Sequence, residues 1–179
     1  MKTKLLVLAA VLFASLCLFS CSDDVEVDHT LPYTYSCHLM ITDAEGKDLV
    51  RDIDVHPYVQ GGPLSENQLI VWESAYKLLV NNKEAIIQPL IVGADSNPHS
   101  LSLSSVLWLK HDESSQARTL SYHMTCPQLF GDEQEYQIIV HWDGTLNTKF
   151  YEENCSRVEI DGTSLVKEDN IFKMTMNRK

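Results

Sequence analysis

From residue 33 onward apolar and polar residues change places at almost every step, the period of two that a strand imposes and a helix cannot use. Residues 33–42 carry it most cleanly, with Tyr33, Tyr35, Cys37, Leu39 and Ile41 on one side. Asp43-Ala44-Glu45-Gly46-Lys47 then supplies turn chemistry and residues 49–56 alternate again, which predicts a first hairpin. Further strands are expected at 70–80, 86–92, 100–110, 118–125, 135–142, 156–160 and 171–176. Their separators are turn formers: Asn81-Asn82-Lys83, Gly93-Ala94-Asp95-Ser96-Asn97-Pro98, Gly131-Asp132, Asp143-Gly144 and Asp161-Gly162. Pro89 lacks the N–H that an interior ladder needs, so the strand containing it is expected at a sheet edge. One segment has two readings. Ser65 and Gln68 have the form of a capping box, and Leu69, Trp72, Tyr76 and Leu79 keep helical spacing, whereas Trp72, Ser74, Tyr76, Leu78 and Val80 alternate as a strand. That run leads directly into a turn, and a strand from about residue 70 is the expectation.

About nine short strands at fairly regular spacing predict an all-β domain over residues 33–179, a single antiparallel β-sandwich that is immunoglobulin-like or transthyretin-like. The residues before it have a different character. Lys2 and Lys4 precede an apolar run over 5–19 that ends at the small Ser20, the form of a secretory signal peptide. The run is shorter than the roughly 20 apolar residues of a spanning helix, and acids follow it. Leu18-Phe19-Ser20-Cys21 resembles the lipobox of bacterial lipoproteins, in which the thiol is acylated and the chain is cut before it. The resemblance covers residues 1–24. It implies that 1–20 are removed as signal peptide and that Cys21 is an acyl carrier, neither ligand nor nucleophile. Residues 21–32, polar, acidic and aperiodic, then read as an acylated N-terminus and flexible tether. Several acyl chains, at roughly 0.8 kcal/mol per buried methylene, hold a domain stably at a membrane. Ser22 stands where an inner-membrane retention signal commonly has Asp, and Asp23-Asp24 resembles the acidic export tags of surface lipoproteins in Bacteroidota. Both imply the outer membrane.

The chain carries 14 basic and 25 acidic residues, a net charge of −11, and loss of Lys2 and Lys4 makes the mature protein more negative still. Such a surface repels nucleic acid and anionic lipid, so neither is expected as a partner. Of the five cysteines, Cys17 leaves with the signal and Cys21 takes lipid. Cys37, Cys126 and Cys155 remain, an odd number with no Cys-x-x-Cys spacing. Cys37 shares the side of Tyr35 and Leu39, and Cys126 the side of Tyr122 and Met124, so both are expected in the core. There they act as small buried hydrophobes or meet as a pair, and the alternation leaves Cys155 unassigned.

Motifs that carry chemistry are nearly absent. The sequence has no Gly-x-Ser-x-Gly, no His-Glu-x-x-His, no phosphate loop and no EF-hand spacing, so neither catalysis nor a cofactor is expected. On a strand, Asp52, Asp54 and His56 project to one face and form a weak candidate metal set. Alternate strand residues are about 6.5–7 Å apart, far for one ion, and a solvated strand face is the ordinary reading. His123 and His141 share a solvent side. Trp108 lies opposite Leu101, Leu103, Leu107 and Leu109, on the side of Ser100, Ser102, Ser104 and Lys110, which reads as solvent, and a loop is expected to cover the ring there. Displayed instead, it is the candidate ligand-binding residue. Trp72 and Trp142 follow the apolar faces of their strands and are expected in the core.

Residues 33–176 as a whole resemble small surface lipoproteins of Bacteroidota with sandwich domains. The resemblance implies a membrane-anchored binding or adhesion module for a glycan or protein ligand, not an enzyme. Two other classes stand beside it: an assembly component that uses a sheet edge, and a hydrolase of unrecognised type. A cleft of convergent polar groups in catalytic order favours the hydrolase, and a long unpaired apolar edge favours assembly.

Overall fold

A computed structural model describes residues 30–57, 68–81, 85–93, 99–110, 112–144 and 155–177. The signal peptide, Cys21 and most of the expected tether lie outside the described residues. The fold is all-β, and no helix among the described residues is long and apolar enough to cross a membrane. In chain order the strands are β1 (Leu31–Asp43), β2 (Val55–Pro57), β3 (Gln68–Val71), β4 (Lys77–Val80), β5 (Ala85–Ile87), β6 (Ile91–Gly93) and β7 (Ser100–Leu109). They continue with β8 (Arg118–Thr125), β9 (Tyr136–Trp142), β10 (Cys155–Ile160), β11 (Thr163–Ser164), β12 (Val166–Glu168) and β13 (Ile171–Met176). One short helix, α1 (Pro127–Phe130), follows β8.

An 8-stranded sheet runs β12-β13-β1-β7-β6-β3-β2, with β5 also on β7, and a 5-stranded sheet runs β11-β10-β9-β8-β4. The long β1 organises the first sheet. It pairs antiparallel with β7 from Leu31↔Leu109 to Leu39↔Leu101 and parallel with β13 from His38↔Ile171 to Asp43↔Met176. A parallel pair requires a long crossover, and here the whole second sheet lies between β1 and β13 in the chain. The expected purely antiparallel pattern is therefore corrected to a mixed one.

The inner faces follow the alternation closely. Tyr33, Tyr35, Cys37, Leu39 and Ile41 of β1 are buried, as are Leu120, Tyr122 and Met124 of β8 and Ile138, Val140 and Trp142 of β9. Contacts cross from sheet to sheet: the Tyr122 hydroxyl donates to Ser105 Oγ at 3.0 Å, and the rings of Tyr35 and Trp142 meet edge to face at 5.4 Å. Burial pushes the Tyr122 phenol well above its ordinary value of 10.0. Since the folded state keeps a proton that the unfolded chain releases, stability is complete below about pH 10 and falls above it by up to about 1.4 kcal/mol per pH unit. Tyr122→Phe is expected to flatten that alkaline slope in denaturation series at several pH values, while costing about 1 kcal/mol near neutrality through the lost hydrogen bond.

Four expectations change. The first hairpin does not form: only Thr42↔Asp48 bridges, and β2 pairs with β3 instead. The Asp48 carboxylate accepts the N–H groups of Val50 and Arg51 at 3.0 and 3.2 Å and that of His99 at 2.9 Å, which curls 50–52 into a 3-10 turn. Residues 70–80 are neither one strand nor a helix. The chain leaves the first sheet after Val71, turns through Glu73–Ala75 and enters the second sheet as β4, which puts Trp72 at the surface, 50% exposed. Pro89 divides the expected strand 86–92 into β5 and β6, and of these only β5 is an edge piece, since β6 lies between β7 and β3. Ser100 and Ser104 are buried rather than solvated, Ser104 through a 2.7 Å hydroxyl pair with Ser36 of β1.

Two hairpins have two-residue turns with positive φ at both positions, Asp161-Gly162 between β10 and β11 and Asp169-Asn170 between β12 and β13. This is the geometry that suits strand twist. The first was expected from its Asp-Gly. The second carries a weaker signal, two residue types that tolerate the left-handed region.

Candidate functional site

The second sheet builds a polar row on its outer face. In register, Thr119 of β8, His141 of β9 and Arg157 of β10 stand side by side. Alternation places the first two there. Arg157 arrives by a bulge: the β10 register shifts between Cys155 and Arg157, so Cys155 stays buried while both Ser156 and Arg157 are exposed. One strand position inward, Arg118 pairs with Trp142. These residues surround a cavity of about 450 Å³ that Asp143 also lines.

Hydrogen bonding fixes the state of His141. Its Nε2 lies 3.1 Å from an Arg157 Nη2, and a guanidinium can only donate, so Nε2 accepts. The neutral ring therefore carries its proton on Nδ1 and donates it to Thr119 Oγ1 at 2.9 Å. Arg157 Nε in turn pairs with Glu159 at 3.1 Å, while His141 Nε2 is 3.9 Å from that carboxylate. Threonine, histidine and glutamate thus stand in the order of a nucleophile, base and orienting acid with the polarity reversed. The imidazole presents a proton, not a lone pair, to the hydroxyl it would have to activate.

The inner wall holds donors that the described residues leave without acceptors. Arg118 donates Nη2–H to the Glu113 carbonyl at 3.0 Å and lies 5.9 Å from the centroid of the Tyr35 ring. Its Nε is buried without a hydrogen-bond partner among the described residues, and so is Nε1 of Trp142, a side chain only 2% exposed. Burial also raises the Tyr35 phenol above its ordinary value, with Arg118 partly opposing the rise.

The residues expected to form sites are placed elsewhere. Asp52 lies in the 3-10 turn and pairs with Lys47 at 2.5 Å. Asp54 follows the turn, held by Gln128 of α1, whose Oε1 accepts the Asp54 N–H at 2.9 Å and whose Nε2 donates to Oδ2 at 3.1 Å. His56 has its backbone in β2. The expected row of Asp52, Asp54 and His56 along one strand is not formed, because Asp48 and Gln128 reshape the chain ahead of β2. His123 and His141 do share the outer face, His123 between Glu135 at 2.8 Å and Asn81 at 2.7 Å.

Trp108 is 52% exposed on the outer face of the first sheet, facing Pro32 in register, and Ile86 is exposed on the next strand. The expected cover is corrected to display. Trp108→Ala is therefore expected to change stability by no more than about 0.5–1 kcal/mol, checked by chemical denaturation. A loss of several kcal/mol would show the ring to be packed. Sequence reasoning does not single out Arg118, Thr119 or Arg157, and it places Trp142 only in the core, where it is found. The signal available was that Arg118 and Arg157 are two of only four arginines in an acidic chain. No family model, curated protein or solved structure matches the chain.

Proposed function

We propose that this protein is a lipid-anchored binding module of the bacterial cell envelope, exported by residues 1–20 and held at the outer membrane through acylated Cys21. Its two facing sheets are read as one sandwich domain, and its pocket at Arg118, Thr119, His141, Trp142 and Arg157 takes a ligand that presents a carboxylate or similar oxyanion. The observation that carries the pocket reading is a pair of buried donors without a partner among the described residues, Arg118 Nε and Trp142 Nε1, on two side chains that line one cavity. A buried donor without a partner costs about 1–3 kcal/mol, and an acceptor-rich ligand offsets that cost on binding. Arg157 at the rim adds a planar, always charged fork suited to carboxylates. Acidic sugars and protein carboxyl termini both present that group. The histidine tautomer argues for binding over hydrolysis. The sheet edges argue against strand addition, since β2, β5, β11 and β12 are each three residues or fewer and β4 has only four.

Two measurements test the reading. Cys21→Ala is expected to abolish lipid mass on the mature N-terminal peptide and shift the protein out of the membrane fraction; unchanged fractionation would contradict the anchor. Among immobilised glycans, acidic ones are expected to bind in a salt-sensitive manner, with at least about tenfold loss in Arg157→Ala. Equal binding of neutral glycans, or none lost in the variant, would contradict the pocket.

A further inference from the structure

Cys37 of β1 and Cys155 of β10 belong to different sheets, and each is buried, 2% and 1% exposed. Several contacts bring their strands together at these positions. Tyr35 and Cys37 are successive inward residues of β1, and Trp142 is the register partner of Cys155. Tyr35 and Trp142 meet edge to face at 5.4 Å, so each cysteine stands next to one member of the ring pair. Lys167 of β12, in the sheet of Cys37, donates Nζ–H to the Cys155 carbonyl at 2.6 Å and ties the sheets again at that residue. The neighbouring Cys155 thiol and burial push the Cys37 thiol well above its ordinary value, and the buried Tyr122 phenol, which donates to Ser105 Oγ, is raised further by both cysteines. Cys126 lies past the end of β8, at the start of α1.

We propose that Cys37 and Cys155 are a disulfide-forming pair that bolts the two sheets together across the core and leaves Cys126 a thiol. Its formation in the cell rests on the export reading, because the envelope is oxidising and the cytosol is not. The electron acceptor is a disulfide of the protein or glutathione type. One cysteine thiolate attacks a sulfur of that oxidant and expels a thiol; the second attacks the resulting mixed disulfide and expels the other. The S–S bond forms as two protons and two electrons leave the cysteines, and the oxidant is reduced to two thiols. In the folded domain both cysteines are buried, and the neighbouring Cys155 thiol together with burial raises the Cys37 thiol well above its ordinary value. The bond therefore forms before the sheets close. It spans most of the domain, the loop length for which a cross-link constrains the unfolded chain most.

The test is thiol mapping on the full chain, refolded from the reduced, denatured state in a glutathione redox buffer, then denatured without reductant and alkylated with iodoacetamide. The expected result is a linked peptide pair containing Cys37 and Cys155, two hydrogens lighter than the sum of its parts, with Cys126 alkylated. Melting is expected to fall on the order of 10 °C when the pair is reduced. Alkylation of both Cys37 and Cys155, or linkage of either to Cys126, would overturn the proposal. Since a serine in the core can itself disturb folding, Cys126→Ser serves as the companion variant and is expected to form the same linked pair. Mapping the chain isolated from the cell envelope separates the two readings. A pair that closes in the redox buffer and is reduced in the cell contradicts export, whereas a pair that stays open in the buffer overturns the disulfide.

Discussion

Trp142→Ala is expected to cost about 3–5 kcal/mol of stability, read as a drop in the denaturation midpoint with little change in its slope. The ring is almost fully buried, meets Tyr35 across the sheet interface and stands beside Arg118 and Cys155 in the ladder. Its removal empties a large volume where the two sheets meet, and the rigid strands around it cannot collapse into the space. Trp142→Phe separates packing from polarity. Phenylalanine keeps most of the ring contact and removes a buried Nε1–H that has no partner among the described residues, so its cost is expected to be well below that of alanine, at most about 1–2 kcal/mol. Ligand binding is expected to weaken in the phenylalanine variant even though the fold persists. An alanine variant within about 1 kcal/mol of the parent would contradict the burial on which the pocket depends.

Gly144→Ala is the second large effect. A Cβ there would overlap backbone atoms of Ser115, Gln116 and Ala117, and none of these can swing aside as a flexible side chain can. Either the end of β9 or the segment leading into β8 has to move, an overpacking cost of about 1–3 kcal/mol or more. That segment continues into Arg118 and Thr119, so the same substitution is expected to open the pocket wall and reduce oxyanion binding along with the melting temperature. Gly144→Ala with unchanged melting would show that the two backbones do not touch.

Much of the second sheet is legible in the chain, because β8 and β9 are regular antiparallel strands with one face in the core, where burial and alternation coincide. The same holds for β1 and the inner face of β7. Reading by alternation fails where a side chain competes with the ladder, as Asp48 does for the N–H groups of Val50 and Arg51. It fails again at Trp72, where one continuous pattern is shared between two sheets. The parallel pairing of β1 with β13 has no local signature, since it joins strands from opposite ends of the domain. In the candidate site, the facing of His141 follows from period two. That of Arg157 does not, because a bulge at Ser156 changes the phase of β10 without any glycine to announce it. Arg118 is hidden for a different reason. It occupies a core-facing position where an apolar residue is the ordinary choice, and only its partners show why a cation stands there.

Whether the cavity lined by β8, β9 and β10 takes an oxyanion is reported most directly by the indole N–H of Trp142. In nitrogen-15-labelled protein this resonance is identified by its absence from Trp142→Phe. Titration with glucuronate is expected to shift it together with Arg118 Nε–H, in a saturable manner, while the indoles of Trp72 and Trp108 stay in place and glucose at equal concentration moves neither pocket signal. If glucuronate up to about 50 mM, enough to fill a site of millimolar Kd, leaves both pocket signals unmoved, the oxyanion pocket is contradicted.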